Sequence, residues 1–289
     1  MSFSPGFQAF GCLYYPQMET STAIDRFEQL VAGDAPIDLA ECALTAAAAM
    51  RPETDVTYWL DRLTELAAEA SFRVSRAESP LGQINALNAR LFDDLGFAGN
   101  VDEYYDPRNS LLDSVIERRR GIPITLSLVY VEVAKRLDVP IVGVGMPGHF
   151  LVRHVEEASL YIDPYNRGVI LSEAECVEQF ARINQGIRWD PSFLAPVSER
   201  SLLARILRNL GAIWTQQAEL RQAERVLTML LALQPNEAGH LRDRGMLRFR
   251  LGERDQALGD LERYIAPSVS APDAWYVRRL IDRIKGEID

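Results

Sequence analysis

The fold is decided by residues 121–163, which read GIPITLSLVYVEVAKRLDVPIVGVGMPGHFLVRHVEEASLYID. Pro123 suits the first turn of a helix, because a helix start does not use the N–H that proline lacks. The apolar residues between positions 126 and 137 cover more than one helical face, so this helix is predicted to be buried. Residues 138–140, Asp-Val-Pro, end it.

Three short strands are predicted after this helix. Residues 141–144 are rich in β-branched side chains, residues 149–155 alternate in character, and residues 160–163 form the third candidate. Ser172 and Glu175 have the spacing of a capping box and indicate the start of a further helix. The core is therefore predicted to be one buried helix packed on an antiparallel sheet, which is an α+β arrangement.

Helices are predicted on both sides of this core. Four apolar runs recur at helical spacing between residues 21 and 100, so this part is expected to be a helical lead-in that buries one face. The chain is again predicted to be helical from about residue 198. The expected organisation is a helical N-terminal part of the core domain over residues 1–100, the α+β core over 101–198 and an all-α region over 199–289.

The all-α region carries a repeat of 34 residues. Gly211 and Ala223 recur at Gly245 and Ala257, where tetratricopeptide repeats need small residues because their paired helices touch. The second copy is degraded, since Arg248 stands where an aromatic residue is expected. An ordinary helical hairpin is the alternative. Because fewer than three such repeats are rarely stable alone, the region is expected to dock on the first domain.

Composition excludes several kinds of protein. The chain has 289 residues, 47% hydrophobic and 25% charged, as globular domains do. A net charge of −10 argues against nucleic acid or an anionic membrane as a partner, because both need a basic face. Residues 1–17 lack the features of a signal peptide, and no apolar run is long enough to cross a bilayer. The three cysteines form neither a disulfide framework nor a zinc motif, so the cytoplasm is the expected location.

Three segments of the core carry a resemblance to a known superfamily. They are Gly121-Ile122-Pro123, residues 148–153 and Asp163-Pro164. Their order and spacing resemble the transglutaminase-like superfamily, in which a cysteine opens the buried helix, a histidine begins the next strand and an aspartate ends the following one. The resemblance implies a papain/transglutaminase-like fold, with His149 as the base, Asp163 as the residue that orients it, and Pro123 at the nucleophile position.

The chain resembles the bacterial invasion-regulator SirB family more closely still. That family joins a transglutaminase-like core to tetratricopeptide helices, and the resemblance covers nearly the whole chain. Four blocks carry it: GFAGN at 96–100, YDPRNS at 105–110, RRRGIP at 118–123 and GMPGHF at 145–150.

The nucleophile position is the decisive departure from the superfamily, because proline has no nucleophilic side chain. Thr125 and Ser127, in the first turns of the same helix, are the substitute nucleophiles that the sequence offers. Cys12, Cys42 and Cys176 are interpreted as small buried apolar residues. A His149–Asp163 pair without a nucleophile would still hold a ligand or stabilise the sheet.

Further residues are expected in or near the cleft. Asn109, Arg120 and Asn166 are cleft candidates. The run of arginines at 118–120 favours the cationic end of a helix, and the alternative is that one of them reaches Asp106 or Asp163 in the cleft. His154 is expected to be an exposed strand residue. Its odd separation from His149 places the two on opposite faces of a strand, so no metal site and no cofactor is expected.

Two functions remain open on the sequence. The first is a non-catalytic regulatory protein that binds a protein partner, with a groove in the core and a concave surface on the repeats. The alternative is a hydrolase or acyltransferase that acts on amide or thioester bonds through a displaced nucleophile.

Overall fold

A computed structural model describes residues 19–266 and 273–288 of the chain, so Cys12 and the segment 1–17 lie outside the described residues. The N-terminal part is helical, as its apolar spacing predicts. Asp38 and Asp55 cap two of the helices, because their carboxylates accept hydrogen bonds from the N–H groups of Glu41 and Tyr58. The helices are α1 (Thr20–Leu30), α2 (Leu39–Met50), α3 (Val56–Val74) and α4 (Pro80–Asn88), which continues as a π-helix over Ala89–Asp94.

The predicted buried helix is α6 (Pro123–Lys135), which follows α5 (Leu112–Arg118). Eight consecutive residues of α6, from 123 to 130, are buried. Proline opens the helix, and the Thr125 hydroxyl accepts a hydrogen bond from the N–H of Ile122 at 3.2 Å. The same hydroxyl donates to the carbonyl of Asn109 at 2.6 Å. The start of α6 is therefore fastened to the 3₁₀ turn Pro107–Ser110 that precedes α5.

The sheet against α6 is antiparallel and has one strand more than predicted. A separate two-residue parallel pair joins β1 (Ala98–Gly99) to β2 (Arg120–Gly121). The main sheet follows chain order: β3 (Ile141–Val144), β4 (Leu151–His154), β5 (Leu160–Asp163) and β6 (Val169–Ser172).

The sequence analysis missed β6, which lies between the turn after β5 and the cap of the next helix. The cap itself is confirmed: Ser172 and Glu175 bond reciprocally at the start of α7 (Glu173–Ile183). The predicted second strand begins two residues late, at Leu151, so His149 lies in the turn before it.

The C-terminal region has the predicted helical pairs. Gly245 approaches its paired helix so closely that a Cβ there would lie 2.7 Å from Leu261, and Ala223 and Ala257 are almost fully buried. These contacts explain the small residues at the repeating positions. The helices are α8 (Glu199–Gln216), α9 (Leu220–Leu233), α10 (Ala238–Arg250), α11 (Arg254–Ile265) and α12 (Ala274–Ile288). No helix among the described residues is both long and apolar enough to span a membrane.

The first helical pair of this region belongs to the main core. Leu203 and Leu207 of α8 and Val226 of α9 lie in one apolar cluster with residues of α1, α2 and α6. A second cluster joins α10, α11 and α12 to Leu231 of α9. The all-α region therefore packs against the first domain through α8 and α9, and α9 contributes residues to both apolar clusters.

Arg248 stands where the repeat pattern expects an aromatic residue, and two carboxylates balance its charge. Its guanidinium donates to Glu224 at 3.0 Å and to Asp260 at 2.9 Å, and both carboxylates are less than 10% exposed. Arg244 binds both oxygens of Asp260 at 2.7 and 2.8 Å. An ionic network between α9, α10 and α11 therefore replaces the expected aromatic residue.

Replacing Arg248 should destabilise the protein. Arg248→Met is expected to lower the free energy of unfolding by about 3 kcal/mol, because it leaves the buried Glu224 with only Arg221 at 4.0 Å, while Asp260 keeps Arg244. Urea unfolding at pH 7 measures this. Arg250→Met, an exposed change on the same helix, is the matched control and should stay within about 0.5 kcal/mol of wild type. Equal stability of the two variants would contradict the role given to the network.

Candidate functional site

His149 lies at the end of the turn that joins β3 to β4. Gly148, just before it, has φ of +74°, and a Cβ there would lie 2.5 Å from Ile183, so only glycine fits. The N–H of His149 donates to the carbonyl of Met146 at 3.0 Å. The amide of Asn184 donates to the carbonyl of Pro147 at 2.9 Å. These contacts fix the direction in which the histidine leaves the backbone.

Asp163 ends β5 and meets the histidine across the sheet. His149 Nε2 lies 2.8 Å from Asp163 Oδ2, and the two residues are 6% and 1% exposed. The same oxygen accepts from Asn166 Nδ2 at 2.7 Å and from Gln179 Nε2 at 3.1 Å. The other oxygen accepts from the backbone N–H groups of Tyr165 and Asn166. The carboxylate is thus buried but fully supplied with donors.

These donors hold Asp163 in its charged form. Burial raises the pKa of Asp163, but the hydrogen bond and charge of His149 and the amides of Asn166 and Gln179 outweigh burial, so the pKa lies below its ordinary value. Because a carboxylate only accepts hydrogen bonds, His149 Nε2 is assigned as the donor. Nδ1 of His149 has no hydrogen-bond partner in the described part of the chain and is the ring nitrogen left for a ligand.

A cavity of about 270 Å³ opens beside His149. Pro123 lies in its wall, so the cavity includes the first residue of α6, where the helix dipole is positive. Pro123, which the resemblance in sequence assigns to the nucleophile position, therefore lines the same cavity as His149. The other lining residues are Tyr104, Ile124, Gly148, Phe150, Arg205 and Asn209.

Arg205 of α8 is a cavity residue that the sequence analysis missed. Its Nη2 donates to the carbonyls of Met146 and His149 at 2.9 and 2.7 Å, and its guanidinium lies over the ring of Phe150. No carboxylate pairs with it among the described residues. Burial, and next the charge of Arg208, lower the pKa of Arg205. No local motif marks this residue, since it is an ordinary arginine within a repeat helix. Gln179 was missed for the same reason.

The two substitute nucleophiles do not line this cavity. Thr125 and Ser127 are both fully buried. The Thr125 hydroxyl is engaged by Ile122 and Asn109 at the helix start. The Ser127 hydroxyl, two positions further along α6, is buried and has no hydrogen-bond partner among the described residues. The suggestion that either hydroxyl stands in for the cysteine stays a prediction, and both hydroxyls belong to the packed faces of α6.

Two of the three cleft candidates also lie elsewhere. Asn109 is fully buried and organises its own loop through bonds to Asn100 and to the carbonyl of Glu103. Arg120 is exposed and donates to the carbonyl of Gly96. Of the three consecutive arginines, Arg118 is the one that reaches Asp106, at 3.4 Å. Asn166 alone of the three candidates contacts the His149–Asp163 pair.

His154 was predicted to be exposed, and this is wrong. It is 1% exposed, with Nε2 3.0 Å from Gln83 Oε1 and Nδ1 accepting from the N–H of Glu156. Gln83 lies 71 residues away in sequence, in α4, so no local pattern reveals the contact. The described residues contain no group of His, Cys, Asp and Glu side chains arranged for a metal ion.

The two described cysteines are buried, as interpreted from the sequence. Cys42 and Cys176 have no exposed surface, and burial, followed by nearby carboxylates, raises the pKa of each thiol to about 12. Both are therefore protonated at neutral pH and poor nucleophiles.

Comparison with known proteins gives two family matches. The profile of the transglutaminase-like superfamily matches residues 57–208, and that of the tetratricopeptide repeat matches residues 210–282. A UPF0162 protein of Xylella fastidiosa (strain Temecula1) is 45% identical over 186 residues, which cover 62% of this chain and 66% of the relative, just under two thirds of its length. A UPF0162 protein of Pseudomonas aeruginosa is 34% identical over 67% of this chain and 73% of the relative. Mouse F-box only protein 21 is 30% identical over 66% of this chain and 31% of its own length.

The charge on Asp163 should stabilise the fold in a pH-dependent way. Asp163→Asn is expected to lower the free energy of unfolding at pH 7 by about 2 kcal/mol, because the amide cannot accept from all of these donors. A carboxyl whose pKa falls on folding stabilises fully above its unfolded value of 3.8 and loses this contribution as the pH falls through its folded value. The difference between wild type and variant should therefore be constant above about pH 5 and shrink below pH 3.8.

Urea unfolding between pH 7 and pH 3 tests this dependence. Glu178→Gln, an exposed change on α7 beside Gln179, is the matched control and should leave stability unchanged throughout. A difference between wild type and Asp163→Asn that stays constant down to pH 3 would exclude a charged Asp163 as its cause.

Proposed function

Because this chain belongs to the transglutaminase-like superfamily and, as predicted, to the SirB-type bacterial family that joins this core to tetratricopeptide repeats, we propose that it is a non-catalytic protein-interaction module. One observation carries the proposal: Pro123, which the resemblance in sequence assigns to the nucleophile position, lies in the cavity wall with His149. The protein would then be a pseudoenzyme that retains the base and its orienting carboxylate and uses the cavity for binding.

The chemistry of the cavity supports this reading. Acyl transfer by this superfamily needs a thiolate at the start of the buried helix, activated by the dipole and the histidine. Tyr104 carries the only hydroxyl among the cavity's lining residues in the described chain, and burial, followed by Tyr105, raises its pKa. Both described cysteines remain free thiols, as expected in a reducing cytoplasm, where we place the protein.

The repeats supply a surface for a protein partner. A groove of about 730 Å³ lies between α8, α9 and α10. Its lining is mainly apolar, including Val226, Leu227, Leu230 and Met246, with a few polar residues such as Arg208 and His240. A largely apolar groove with few polar groups is suited to bind a peptide segment of another protein.

The intact pair of His149 and Asp163 favours a second candidate, a hydrolase or acyltransferase with a displaced nucleophile. The two candidates differ in one observable property. An enzyme of this kind forms a covalent acyl intermediate, whereas a binding module does not.

Restoring the cysteine should restore a reactive thiol without turnover. The thiol of Pro123→Cys is expected to have a pKa below the ~8.5 of free cysteine, because it lies at the start of α6 in the cavity of His149. Alkylation by iodoacetamide between pH 5 and pH 9 measures this, and the double variant Pro123→Cys/His149→Ala should react more slowly at neutral pH.

Turnover separates the two candidate functions. Wild type and Pro123→Cys are both expected to show no hydrolysis of amide or thioester substrates, since rate requires donors aimed at the developing oxyanion. Wild type should also form no adduct with hydroxyl- and thiol-reactive acyl probes in mass spectrometry. A stoichiometric wild-type adduct that disappears in His149→Ala would establish the enzyme instead.

A larger side chain in the groove of the repeats should weaken the binding of a protein partner. Ala212 is exposed in the wall of the groove, so Ala212→Arg is expected to reduce at least one partner recovered by crosslinking and co-purification from the native cell by about tenfold, the effect of losing about 1.4 kcal/mol. The matched control is Ala181→Arg, the same change at an exposed position of α7. Identical partners in equal amounts from both variants would show that this groove is not the interface.

A further inference from the structure

Three hollows follow one another along one face of α8. Arg205 and Asn209 line the cavity of His149. A smaller hollow of about 100 Å³ shares Asn209 with that cavity and shares Ala212 and Gln216 with the groove of the repeats. Successive members of this set of four residues are three or four positions apart, so they follow one face of the helix. We call the row of three hollows the α8 channel.

The channel has the length of a short peptide. Positions 205 to 216 span about 16 Å at 1.5 Å per residue of helix. An extended chain covers this distance with about five residues at roughly 3.3 Å each. The groove end is mainly apolar, whereas the cavity end is lined by His149, Arg205 and Asn209. The occupant is therefore expected to be apolar along its length and polar at one end.

Two arginines lack an acidic partner in the described chain: Arg205 in the cavity and Arg208 in the wall of the groove. Arg205 donates only to backbone carbonyls, and Arg208 donates to the amide oxygen of Gln234 at 3.2 Å. Asp243, in the groove wall, is paired with Arg242 at 2.8 Å. Two neighbouring cations without a carboxylate are notable in a chain of net charge −10. A partly buried arginine gains most from an anion that accepts its remaining donors.

Asn209 points to the same kind of ligand. It lies where the cavity meets the smaller hollow, and its side-chain amide has no hydrogen-bond partner among the described residues. The positive end of α6 also lies in the wall of the cavity, at Pro123. An amide donor, a guanidinium and a helix start together form an environment for a carboxylate.

We infer that the α8 channel binds an extended peptide whose carboxylate lies against Arg205 in the cavity of His149. Because the polar lining lies at one end of a mainly apolar channel, the carboxylate is assigned to the C-terminus of the peptide. The apolar residues of the peptide lie along the groove of the repeats. This inference rests on the proposed interaction function and names the chemical class of the partner segment.

Peptide pools of defined chemistry test the inference. Three pools of random octapeptides are used: one with a free C-terminus and no Asp or Glu, one amidated with Asp and Glu, and one amidated without them. Each pool is incubated with the full chain, and the peptides retained through gel filtration are counted and sequenced by mass spectrometry. The first two pools identify a terminal or a side-chain carboxylate, respectively.

Wild type should retain the pool with a free C-terminus about tenfold or more over both amidated pools, which is the effect of charge-assisted hydrogen bonds. A preference for the amidated pool that contains Asp and Glu would overturn the C-terminal assignment. Arg205→Met should abolish the preference for the free C-terminus, and Asn209→Ala should reduce it. Because Arg205 also holds two backbone carbonyls, Arg208→Met is a second variant that spares them, and it should weaken the preference several-fold. Arg279→Met, the same change on the exposed face of α12, is the matched control and should behave as wild type.

The outcomes separate this inference from the function on which it rests. Retention of all three pools alike would overturn the carboxylate site and leave the interaction function standing. Retention of no pool would count against both. A carboxylate preference that survives in folded Arg205→Met and Arg208→Met would exclude the cavity end as the site.

Discussion

The carboxylate of Asp163 is the group on which the site depends. A buried charge is costly unless it is paired and hydrogen-bonded, and this carboxylate draws its donors from three separate parts of the chain. His149 comes from the turn between β3 and β4, Asn166 from the turn after β5, and Gln179 from α7. Each donor fixes the element that carries it, so one charge sets the mutual positions of two turns, a strand and a helix.

This dependence gives His149 and Asp163 a structural role although the nearby Pro123 has no nucleophilic side chain. In an enzyme with a catalytic triad, the aspartate orients the histidine, and the histidine takes the proton of the nucleophile. Here the buried carboxylate of Asp163 needs the hydrogen bond from His149 whether or not a nucleophile is present. Pro123 is compatible with the structural role of the pair and provides a well-formed start for α6. The pair alone is therefore a weak argument for catalysis.

The sequence predicts the parts of this fold that repeat over many residues. The buried helix α6, the N-terminal helices and the paired C-terminal helices follow from long periodic patterns. The contacts that define the site are long-range and leave no such pattern. Gln83, which is 71 positions away in sequence, hydrogen-bonds the ring of the buried His154. Arg205, which is 56 positions away, donates to the backbone carbonyl of His149. The same limit applies to Arg248, whose charge looks like a defect until Glu224 and Asp260 are placed beside it.

Helix α8 contributes residues both to the core domain and to the groove of the repeats. One face buries Leu203 and Leu207 in the main core, and another carries Arg205 into the cavity. Through Arg205 this helix binds the carbonyl of His149 itself, so a repeat helix holds the turn that presents the histidine. A core without α8 would lose one wall of its cavity and two hydrogen bonds to that turn. The first repeat helix is thus a structural part of the site, and the groove of the repeats lies along the same helix that positions His149.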